Sequence, residues 1–94
     1  MSLVTLEEGK NYLRVDSDDD DALIEALLVS AEILCRKIAR LSSDDELDSQ
    51  TEALMRVAVL YALAYLYEHR EEADHHDLVL TLRSLLFSIR EGVV

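Results

Sequence analysis

The chain has no proline, two glycines (Gly9 and Gly92) and a single cysteine, Cys35, and only nine basic residues face twenty acids. Without proline and with so little glycine, the chemistry of tight β-turns is largely missing, which disfavours an architecture of many short strands. One cysteine excludes an internal disulfide and fits a reducing compartment. No basic segment and cleavage site precede an early apolar run, so nothing in the chain suggests export. A formal charge of −11 argues against duplex binding, whose affinity comes largely from cations displacing counterions at phosphates. The same charge argues against an anionic membrane surface. A membrane span is also lacking: the longest apolar run covers residues 53–67, short of the ~20 residues a bilayer requires, and it contains an arginine.

That run is the most informative feature present. Fourteen of its fifteen residues are apolar, interrupted only by Arg56, and the sequence then turns abruptly charged at Glu68. A helix apolar on every side must be enclosed by protein, either its own chain or another. Three short helices cover about two thirds of such a helix, so the remainder is expected to form an exposed patch unless a second chain sits on it. Homo-oligomerisation is the expectation that follows.

Ninety-four residues make one domain over 1–94, long enough to bury roughly 60–65% of the unfolded surface. Apolar spacing is helical nearly throughout and predicts an all-α bundle of four helices. The first spans about Thr5–Arg14, with Thr5 and Glu8 at capping-box spacing and Gly9 weakening it by about 1 kcal/mol. The second starts in the Asp18–Asp21 run and ends near Leu41; Ile24, Leu27, Leu28, Ala31, Leu34, Cys35, Ile38 and Leu41 form its stripe. Ser42–Ser49 reads as a loop. The third helix is expected over Gln50–Glu72 and the fourth over Asp77–Arg90, stopped by Gly92. Fifteen of the twenty acids lie in Asp16–Asp21, Asp44–Glu52 and Glu68–Asp77, so charge marks the joints.

Chemistry-bearing patterns are few. An EF-hand loop begun at Asp16 would need glycine where Asp21 stands and glutamate where Leu27 stands, so the acidic run is read as meeting a helix macrodipole. Glu72 and His75 have di-iron spacing but occur once, and His69, His75 and His76 gather in a charged joint. No metal or other cofactor is therefore expected. Cys35 lies on an apolar stripe, where an inert thiol is the default, and no nucleophile, paired-carboxylate or phosphate-loop pattern points to an enzyme. Tyr61, Tyr65 and Tyr67 remain, the first two on one face of the third helix, as core-edge or interface aromatics.

Three patterns stand in a fixed order. LEEGKNYLRVD leads through an acidic joint to LIEALLVSA; VLYALAYLYEHRE ends in Y-E-x-R-E; LLFSIR gives L-L-x-x-x-R. The set, from Leu6 to Arg90, resembles the phage head–tail connector family, the head-completion or adaptor proteins of long-tailed bacteriophages and prophages. Ser88 and Ile89 stand where that pattern leads one to expect a proline and an aromatic, and the joint after Arg70 is richer in histidine. The resemblance implies a structural, non-enzymatic subunit forming a ring under the portal at the virion's head–tail junction, after assembly in the host cytoplasm. It implies contacts with the portal and a tail-completion protein, and DNA passing without specific binding. It places subunit contacts at Tyr67, Glu68, Arg70 and Arg90, beside Tyr61 and Tyr65. Competing readings of the same composition are an acidic protein-binding module, such as an antitoxin or DNA mimic, and a tail-assembly chaperone.

Overall fold

A computed structural model describes residues 3–42, 46–71 and 74–90, with Arg90 described in its backbone only. Every regular element among them is helical. Helix α1, Leu6–Leu13, begins where its capping box dictates: the Glu8 N–H donates to Thr5 Oγ1 at 3.1 Å and the Thr5 N–H donates to Glu8 Oε1 at 3.0 Å. It closes on Arg14, whose φ of 61° turns the backbone left-handed. Helix α2, Asp21–Ala39, closes in the same way on Arg40. Helix α3, Ser49–Glu68, is capped by Asp48, which accepts from the Thr51 N–H at 2.7 Å.

Two expected boundaries move. The third helix stops at Glu68 rather than running to Glu72, its last turn closed by the His69 N–H donating to the Tyr65 carbonyl at 2.9 Å. The single fourth helix expected over Asp77–Arg90 is two, α4 (His76–Leu85) and α5 (Phe87–Arg90), broken at Leu86. Residues 43–45 of the predicted loop, Glu72 and the proposed stop Gly92 lie outside the described residues.

Tyr67, near the end of α3, donates to Asp20, which precedes α2, so α2 and α3 run antiparallel. Their seam is the core: Ile24, Leu28, Ala31, Cys35 and Ala39 face Met55, Ala58, Val59, Ala62 and Leu63. Helix α1 packs across both α2 and α3, and α4 packs on the same pair, contributing Leu78 and Leu82 while Leu86 follows from the turn. Helices α1 and α4 share no extensive contact, so the α2–α3 pair is a middle layer that α1 and α4–α5 cover at separate places. Each large apolar side chain buried this way contributes about 1.5–3 kcal/mol.

Gly9 turns out to be the point where α1 docks. A Cβ built there would stand 3.0 Å from Leu63 Cδ2 and 3.3 Å from Leu28 Cδ1, both side chains being buried. The residue that weakens α1 as an isolated helix is what lets its backbone approach the middle layer.

Candidate interaction site at the end of the third helix

Five of the six interface residues expected from the sequence, all but Arg90, lie in the C-terminal part of α3 or just after it, but their side chains do different things. Ala53, Val57, Tyr61 and Glu68 recur at helical spacing along one solvent-facing line, with Val57 56% and Tyr61 38% exposed. This line is the part of the apolar helix that its own chain leaves uncovered.

Tyr65 and Tyr67 are half-buried and engaged within the subunit. The Tyr65 ring stacks on His69 with centroids 4.1 Å apart and meets the edge of His75 at 6.1 Å. Tyr67 Oη donates to Asp20 Oδ2 at 2.7 Å, and that bond, reinforced by desolvation, raises the phenol above its ordinary pKa. Arg70 closes the cluster: its guanidinium lies 4.6 Å over the Tyr67 ring while Nη1 donates to the Tyr67 carbonyl at 2.9 Å. Residues Tyr67–Glu71 line an open cleft of about 320 Å³, and Glu68 is exposed at its rim. The side chain of Arg90 lies outside the described residues.

The acidic run before α2 does more than meet a helix dipole. Asp21 occupies the first turn of α2, yet it and Asp18 also hold Lys10 of α1 at 2.7 and 3.0 Å. Asp20, at the cap position, makes no cap bond and receives Tyr67 instead. One stretch of acids thus fastens three helices together.

Arg56, the lone charge in the apolar run, pairs with Glu8 and donates to the carbonyl of Leu3. Glu8 is held down to about 2, first by the Arg56 hydrogen bond and then by that of Thr5. Neither this pairing nor the Gly9 contact shows in the sequence. The interruption of the run at Arg56 is the one signal that a partner was required, because a charge on such a helix is tolerated only when matched.

Cys35 is buried and its thiol is pushed up to about 12 by burial and by Glu32. Of the E-x-x-H pair, Glu72 lies outside the described residues, while His75 precedes α4 at the cap position. Among the described residues no three histidine, cysteine, aspartate or glutamate side chains converge as a metal site. No described helix is long and apolar enough to cross a membrane.

Compared with known families, the chain matches the family model described as "Phage gp6-like head-tail connector protein" over residues 3–92. No curated protein and no solved structure shows significant similarity to it.

Proposed function

The chain belongs to the phage gp6-like head–tail connector family, and from that premise we propose that it is the subunit of a ring seated beneath the portal, linking capsid to tail and prolonging the DNA channel. The family is one of structural phage proteins, and its place is the head–tail junction of the virion. The observation that carries the finer reading is the extent of the match, which includes all five helices.

Two features of the molecule support it. The uncovered line Val57–Tyr61 gives α3 apolar surface for a neighbour. A body with a formal charge of −11 does not hold phosphates, so duplex DNA slides past it. The charged end of α3 serves as a contact between copies or with the portal or tail-completion protein. There Tyr61, Glu68 and Arg70 meet the neighbour and Tyr65 and Tyr67 hold the shape from beneath, while Arg90, on the last helix, makes a separate contact.

The test is assembly on isolated portal particles, followed by electron microscopy. Extra ring density beneath the portal is expected, with Arg70→Glu lowering its occupancy while far-UV circular dichroism stays unchanged. A chain that remains monomeric with the portal present, or rings that bind duplex DNA tightly and in a salt-sensitive way, would refute the reading.

A further inference from the structure

The two outer layers of the subunit carry unlike but matching surfaces. On the α1 side, a groove of about 510 Å³ opens between the start of α1 and α2, lined by Val4, Thr5, Leu6, Glu25, Ala26, Leu28 and Val29. Its floor is apolar, Val29 is 56% exposed at its edge, and Glu25 stands on the rim. On the α4–α5 side, a shallower groove of about 540 Å³ is lined by Leu80, Arg83, Ser84 and Phe87. Here Leu80 is 49% and Phe87 55% exposed, although the phenyl ring is the only one in the chain. Among the described residues neither Glu25 nor Arg83 has an ion-pair partner, whereas Lys10, Arg36 and Arg56 all do.

We propose that these two surfaces are the halves of one head-to-tail contact between copies of this chain: Phe87 and Leu80 of one copy enter the α1–α2 groove of the next, and Arg83 meets Glu25 across the joint. The pairing rests on the ring reading above and names the faces that would close such a ring.

Three observations select a second copy as occupant. The faces belong to segments that share no extensive contact, so they are separate patches of the kind a heterologous contact needs in order to propagate from copy to copy and close into a ring. The two linings carry opposite charges, Glu25 in one and Arg83 in the other. A twofold contact of either face with itself would set two faces of like charge against each other, two carrying Arg83 or two carrying Glu25, which is disfavoured. The aromatic side chain in an apolar groove is also the kind of group that carries most of the energy of such joints. This contact is separate from the end of α3, which stays open for the portal or tail protein.

The experiment uses the full chain with Glu25→Cys and Arg83→Cys combined, assembled on portal particles and treated with a short bis-maleimide crosslinker. Buried Cys35 does not compete for the reagent. A ladder of covalent multimers is expected from the double variant and only monomers from either single variant. Rings visible in micrographs without a ladder overturn this pairing and leave the ring reading standing. Dimers from a single variant reveal a twofold contact and also overturn it. Failure of the unmodified chain to assemble in any condition overturns the ring reading, and the pairing with it. A charge swap adds a second readout. Arg83→Glu or Glu25→Arg alone should raise the concentration for half-assembly about tenfold, and the two together should restore it to within about threefold. A double variant no better than the singles removes this ion pair from the joint.

Discussion

Helix α1 and the α4–α5 segment cover different parts of the same pair of helices, yet they are held by different forces. The α1 side is fastened by polar bonds: Glu8 to Arg56, Lys10 to Asp18 and Asp21, and the Leu3 N–H to Glu32 Oε1 at 2.9 Å. By contrast, α4 and α5 make no hydrogen bond or ion pair to another helix among the described residues; Leu78, Leu82 and Leu86 are instead fully buried. The difference follows from what each segment can offer. An eight-residue helix with Gly9 at its centre has little hydrocarbon to bury and needs directional bonds, whereas leucines spaced four apart need only a surface.

The sharpest way to break this comparison is Leu82→Ala, which leaves a cavity where no polar bond compensates. A loss of about 2–5 kcal/mol in urea unfolding is expected, nearly independent of salt. A strong salt dependence would mean that α4 relies on charge after all. Gly9→Ala comes next. The new methyl gains about 1 kcal/mol of helix propensity, but overpacking against buried Leu63 and Leu28 costs about 1–3 kcal/mol. The expected net effect is a loss of about 1 kcal/mol with α1 loosened, read from thermal unfolding and from the methyl resonances of Val4 and Leu6. A stabilised variant would show that α1 does not dock closely at this position.

The smallest effect is the most selective. Glu8 has a folded-state pKa of about 2 against an ordinary 4.5. A depressed carboxylate contributes stability that is fully present above about 4.5 and fades as pH falls towards 2. Acidification through that window should therefore shift the Val4 and Leu6 methyl signals before those of Leu78 and Leu82. Simultaneous movement of both sets would erase the distinction between the two sides.

Much of this was legible in the chain itself. Thr5 and Glu8 announced the start of α1, and the stripe through Ile24, Leu28, Ala31 and Cys35 is the buried face of α2. Local spacing is sufficient for both, because caps and faces are set within a turn or two. The family was readable too, from an ordered set of motifs none of which is distinctive alone. What escaped depends on contacts distant in sequence. Arg56 lies 48 residues from Glu8, and Tyr67 lies 47 from Asp20. Gly9 read as a weak spot because its value depends on which helices cross there. The break at Leu86 has no glycine or proline to mark it, and the histidine-rich joint ends α3 one turn earlier than charge alone suggested.

A chain so poor in glycine must still close its helices, and it does so at Arg14 and Arg40, both left-handed at φ 61° and both exposed. An L-residue in that conformation is strained by about 1–2 kcal/mol, where glycine would be at ease. In return the Arg14 and Arg40 N–H groups turn back to the Asn11 and Lys37 carbonyls at 3.2 Å, closing each helix without glycine. Using arginine rather than glycine there leaves an exposed cation at the end of each of the first two helices, on a body of net negative charge.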